Sequence, residues 1–232
     1  MSIYKFSQGK TFNMTVFCDW LNDHKTGTFL EDMTITVTTS TGSNDSVKIY
    51  DSTNGEYIQY TAINSYSGRL VLQYNNGTST VCTKSTTSVS GVYTTAYISE
   101  AILCNNGMIV KYQNDGTAYW YWNCLTVDDN GSLALIITSN ATIPHADNNA
   151  STDGSFYIYS PSSTTIPAIY LFTIYGQNKT ILTPMPVNVN GDVSFLPYAY
   201  TAVYAELNGL GLAAVRMNNE DYITNGTFYV KD

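Results

Sequence analysis

Apolar and polar positions alternate with a period of two along most of this chain. Phe12, Met14, Val16, Cys18 and Trp20 alternate with Thr11, Asn13, Thr15, Phe17 and Asp19, and Ile35 and Val37 alternate with Thr34, Thr36 and Thr38. Successive strand side chains point to opposite faces, so this pattern predicts half-buried strands. Residues 133–137 and 168–175 are apolar on both faces, as strands between two layers would be. Between the segments stand nine Asn-Gly or Asp-Gly pairs, at Gly55, Gly77, Gly107, Gly116, Gly131, Gly154, Gly191, Gly209 and Gly226. Such pairs tolerate the positive φ angles of type I′ hairpin turns. Residues 99–103 and 19–23 each have room for one helical turn, but neither shows sustained helical periodicity. The pattern predicts an all-β chain built as an antiparallel β-sandwich, Ig-like or jelly-roll-like.

Organisation follows from where the pattern stops. Residues 139–154 are polar and full of turn formers. This divides the chain into an N-terminal β domain (1–142), a linker or long loop (143–154) and a C-terminal β-sandwich (155–232). A single interwoven domain with one long loop is the alternative. The chain of 232 residues is long enough for either arrangement.

Composition narrows the chemistry. Only 12% of residues are charged, while 31 Thr, 22 Asn, 21 Ser and 20 Tyr take their place. A net charge of −8 with two arginines opposes binding to a phosphate backbone, so nucleic acid is not an expected partner. No apolar run has the length of a membrane span, and the first residues lack the basic flank and apolar run of a secretory signal. Cys18, Cys82, Cys104 and Cys124 form no CxxC pair, which predicts no zinc site; with no secretory signal they read as reduced, buried thiols, disulfides being the alternative. Asn149, Ser151, Asp153 and Gly154 imitate half of a calcium loop, but Ser160 stands where the bidentate Glu belongs. No metal or cofactor is expected. His24 and His145 read as surface residues, and Glu31-Asp32, Asp128-Asp129 and Glu220-Asp221 as strand-end pairs pointing apart. These observations point away from an enzyme.

Aromatic residues are the candidate binding groups. Tyr119, Trp120, Tyr121 and Trp122 put two tyrosines on one strand face and two tryptophans on the other. One face has the makings of a platform for sugar rings or protein partners, and burial of both faces is the alternative. Tyr198, Tyr200 and Tyr204 repeat the spacing and complete the expected binding set.

The Asn/Thr/Tyr-rich strands, the Asn-Gly hairpins and the run from Leu207 to Asp232 resemble the virion structural proteins of tailed bacteriophages. The resemblance is one of style over the whole length. It implies a non-enzymatic protein that decorates the capsid or belongs to the tail, reaches the virion from the host cytoplasm, and assembles as a homo-oligomer with other virion subunits. A carbohydrate-binding, adhesin-like module using residues 119–122 is the alternative function, with a glycan as partner.

Overall fold

The computed structural model describes residues 2–11, 13–40, 44–64, 68–85, 95–114, 120–138, 151–159, 169–175, 180–189, 192–205, 212–226 and 228–232. Among the described residues it is all-β with one short helix, so the sandwich-type all-β class read from the alternation stands. Contacts divide the chain into two compact units, one of residues 1–4, 102–110 and 122–232, the other of residues 5–101 and 111–121. The second unit holds β1 (Tyr4–Ser7) from Lys5 onward, α1 (Thr15–His24), β2 (Thr34–Thr38), β3 (Asn44–Asp51), β4 (Glu56–Ile63), β5 (Arg69–Asn76) and β6 (Thr80–Ser85). The division falls within β7 (Ala96–Cys104), β8 (Gly107–Asn114) and β9 (Trp120–Val127). Of the polar segment 139–154, residues 139–150 lie outside the described residues, and residues 151–154 open a strand.

In the second unit, β2 to β6 form an antiparallel meander in sequence order. Val47, Ile49, Ile58, Tyr60, Leu70, Leu72 and Tyr74 are fully buried on its inner face, alternating with half-buried or exposed residues. Helix α1 lies against β2 and β3. It corrects the expectation of a strand over residues 12–20. The buried residues are Met14, Phe17, Cys18 and Leu21, the i, i+3, i+4, i+7 spacing of one helix face, while Val16 is 54% exposed. Phe17 decides the outcome, because a strand would have aimed it away from Met14 and Cys18. Its ring packs edge-on to Tyr60 and against Phe6 and Trp20. Asn22 Nδ2 donates to the Cys18 and Ile35 carbonyls, tying the helix to β2. Residues 99–103 belong to strand β7, not to a helical turn.

The first unit continues with β10 (Leu133–Thr138), β11 (Ser151–Tyr159), β12 (Ile169–Tyr175), β13 (Ile181–Val189), β14 (Asp192–Ala205), β15 (Ala213–Met217), β16 (Glu220–Thr224) and β17 (Phe228–Lys231). Their order is β9-β10-β11-β12-β14-β17-β16-β15, with β13 beside β14. All pairings in this series are antiparallel except β12 with β14, which is parallel. The 14 residues of β14 make room for β13 along its length, β17 at Ala199–Thr201 and β12 at its end.

The turns depart from the expected type. At Gly55, Gly77, Gly131 and Gly226 only the glycine has positive φ, so these are not type I′ turns. Asx bonds hold several of them: Asp128 Oδ1 accepts from the Asn130 and Ser132 amides, and Asn225 Oδ1 from the Phe228 amide. The I′ arrangement occurs instead at Asn218-Asn219, with φ of 52° and 64°, between Met217 and Glu220. Gly107 begins β8 after the turn residues Asn105-Asn106, and Gly154 sits inside β11 opposite Leu171. Gly116, Gly191 and Gly209 lie outside the described residues.

Candidate functional site

Register places one group of side chains on a common face of the β13-β14-β17-β16-β15 sheet. Tyr198, Tyr200 and Ala202 alternate along β14; Leu182 pairs with Ala202, Tyr200 with Tyr229, Tyr222 with both Lys231 and Val215, and Met217 with Glu220. Paired residues share a face, so these ten belong together. Ala202, Tyr222 and Tyr229 form the buried centre, and Leu182, Tyr200, Val215 and Met217 pack around it half-buried. The tyrosine rings meet edge to face, at 6.0 Å between Tyr200 and Tyr222 and 6.5 Å between Tyr222 and Tyr229. The opposite face carries the buried Phe228, Val230 and Ile223. This face was legible only in part, through Tyr198 and Tyr200. Tyr222, Tyr229, Val215 and Met217 are joined to them by pairings that no local pattern announces.

The charges of this face are paired with each other. The Glu220 carboxylate accepts from the Tyr222 hydroxyl at 2.8 Å and from the Lys231 ammonium. Those bonds, Lys231 first, hold the Glu220 carboxyl below its ordinary range, and Glu220 raises Lys231 in turn. Burial, followed by the Glu220 bond, pushes the Tyr222 phenol well above its usual range. It therefore stays neutral at physiological pH and acts as a donor and as apolar area. Asp221 faces the other way, with Arg216 at 3.9 Å. The Glu220-Asp221 pair thus splits across the sheet.

Of the remaining sequence candidates, those within the described residues do not converge. Trp122 is 4% exposed and offers no face for stacking; Tyr119 and the side chains of Trp120, Tyr121 and Tyr204 lie outside the described residues. Tyr204 is placed in β14, opposite Ile181 of β13. His24 ends α1, its Nδ1 hydrogen bonded to the Trp20 carbonyl at 2.8 Å. His145, Asn149 and Ser160 lie outside the described residues. All four cysteines are buried thiols. Burial pushes Cys104 up to about 12 and Cys124 higher still. Among the described residues no three His, Cys, Asp or Glu side chains come together to hold a metal, and no helix is long and apolar enough to cross a membrane.

Beside the tyrosine face lies β13, which pairs with β14 alone among the described strands. Strand β13 carries Pro184 and Pro186, which lack an N–H, so this edge cannot template a regular ladder. Nearby Ile181 and Phe195 are 49% and 50% exposed. What the arrangement offers is semi-polar contact area with its own charges already neutralised. No known protein family, curated protein or solved structure matches this chain.

Proposed function

We propose that this chain is a non-enzymatic structural protein of a bacteriophage virion, decorating or reinforcing the capsid or forming part of the tail. It assembles with other virion subunits, and as a homo-oligomer, through its sheet faces. The observation that supports this most is the tyrosine face of β13–β17. Leu182, Tyr200, Val215 and Met217 are half-buried around Tyr222 and Tyr229, so apolar and aromatic area reaches the surface as one patch. Interface centres are enriched in aromatic residues and Met and depleted in unpaired charge, and the Glu220–Lys231 pair leaves little charge to desolvate. The proline-bearing β13 edge favours contact through the face over pairing through that edge.

The test is sedimentation with particles. Virions from an infected host are purified and the chain is quantified against the major capsid subunit by mass spectrometry. A fixed copy ratio is expected, lost on Tyr200→Glu or Val215→Glu with folding retained. A chain absent from virions and monomeric by light scattering would sink the proposal.

A further inference from the structure

We propose that the outward face of the five-stranded sheet β2–β6 binds an uncharged glycan chain. This inference does not rest on the assembly reading, and it uses none of the residues of the tyrosine face or of 119–122.

The register aligns two rows across this face. Thr36, Lys48, Gln59, Gln73 and Thr83 form one row, running through all five strands. Thr34, Tyr50, Tyr57 and Asn75 form the next. With neighbouring strands about 4.8 Å apart, the first row spans roughly 19 Å, room for a chain of several hexose rings. Every one of these side chains is half-buried or exposed, while Ile35, Val47, Ile49, Ile58, Leu72 and Tyr74, which alternate with them, are buried.

The chemistry of the rows is that of a polyol binder. Amides and hydroxyls both donate and accept, which suits vicinal hydroxyl groups. Gln59 Nε2 donates to Thr61 Oγ1 at 3.1 Å, a bond that uses one of its two N–H groups and not its carbonyl, and the Gln73 amide has no protein partner among the described residues. Beside the amides stand two tyrosine rings, whose faces suit the C–H surfaces of a sugar. Lys48 lies 4.0 Å from the Tyr57 centroid and 5.1 Å from that of Tyr50, which ties the aromatic pair to the amide row.

Charge selects the class of glycan. Neither row contains an Asp or Glu, and its cation is engaged by two rings. The chain's net charge of −8 repels polyanions. A second protein is the poorer fit, because the rows hold no aliphatic side chain to centre a dry interface. An uncharged, hydroxyl-rich ligand complements what is there.

The experiment uses the full chain on an array of neutral and acidic oligosaccharides, followed by affinity electrophoresis in gels containing a soluble β-glucan, galactomannan, dextran or polygalacturonate. Binding to at least one neutral glycan is expected, weakened at least tenfold by Tyr57→Ala and by the double variant Gln59→Ala/Gln73→Ala. The double variant removes only surface amides and should unfold at the wild-type temperature, so it carries the test if Tyr57→Ala misfolds. Three results would overturn the proposal: no neutral glycan bound, binding to polygalacturonate alone, or neutral binding untouched by the double variant. A dimer dissociated by the same substitutions, without glycan binding, would assign the face to self-association and also overturn it. Glycan binding by a chain absent from virions would leave this inference standing and remove the assembly reading; the reverse pattern would do the opposite.

Discussion

Gly107→Ala should be among the most damaging single-methyl additions in this protein. A Cβ built there would lie 2.7 Å from Val230 Cγ1 and 2.8 Å from the Leu125 carbonyl oxygen. Gly107 does not have positive φ, so the cost is steric and not conformational. Neither neighbour can give way cheaply. Val230 is fully buried in β17, and Leu125 is held in the β9–β10 ladder opposite Leu135. Overpacking a filled core costs about 1–3 kcal/mol, and a clash with a fixed backbone atom puts this case near 2–3 kcal/mol. For a chain of this size that lowers the thermal midpoint by roughly 5–10 °C. Val230→Ala alone removes two buried carbons and costs about 2 kcal/mol. In the double variant the new methyl enters the vacated space, so the two costs should fall short of their sum by about 1 kcal/mol or more, while the Leu125 carbonyl prevents full recovery. The assay is urea unfolding followed by tryptophan fluorescence, which Trp122 reports from the same unit. A Gly107→Ala protein within about 0.5 kcal/mol of wild type, or additive behaviour in the cycle, would refute the packing argument.

Other consequences are as direct. Gly77→Ala should cost more than Gly27→Ala, by a difference readable in the unfolding midpoint. Both glycines have positive φ, but a Cβ at Gly77 would run into the Asn54 carbonyl oxygen while Gly27 faces open space. The four thiols should resist iodoacetamide at pH 8 in the native chain and react on unfolding, since burial suppresses the thiolate of Cys104 and Cys124; rapid native labelling of either would contradict their placement. The Glu220 carboxyl titrates lower folded than unfolded, so its stabilisation is present above the ordinary carboxylate range and is lost as pH falls through the folded value. Wild type should therefore exceed Glu220→Gln in stability at neutral pH and converge with it in acid, and a pH-independent gap would count against the bond to Lys231.

The strands were legible because their faces are chemically unlike. Ile35 and Val37 alternate with the exposed Thr34, Thr36 and Thr38, as a strand with one covered face requires. Helix α1 was hidden because its apolar residues also satisfy a period of two; only Phe17, placed among the polar residues by that reading, betrayed the helical face. The turns misled for a different reason. An Asn-Gly pair needs only its glycine in the left-handed region, whereas Asn218-Asn219 supplies two positive φ angles with no glycine. The tyrosine face was half visible, since Tyr198 and Tyr200 share a strand but meet Tyr222, Tyr229 and Lys231 only through pairing across β17 and β16. Trp122 shows the limit of aromatic spacing as a guide: a strand of alternating rings says nothing about which of them are covered.

Residues 230–232 close a loop begun far earlier. The Asn105 amide donates to Asp232 Oδ1 at 2.9 Å across 127 positions, Asn106 Nδ2 donates to the Lys231 carbonyl, and Val230 lies against Gly107. During synthesis residues 102–110 leave the ribosome long before β17 exists, so this part of the unit must wait, with apolar strand surface uncovered, until translation has delivered residues 228–232. Removing residues 228–232 would then cost far more than the handful of residues it takes away, and growth temperature or a chaperone would be expected to set the yield of soluble chain.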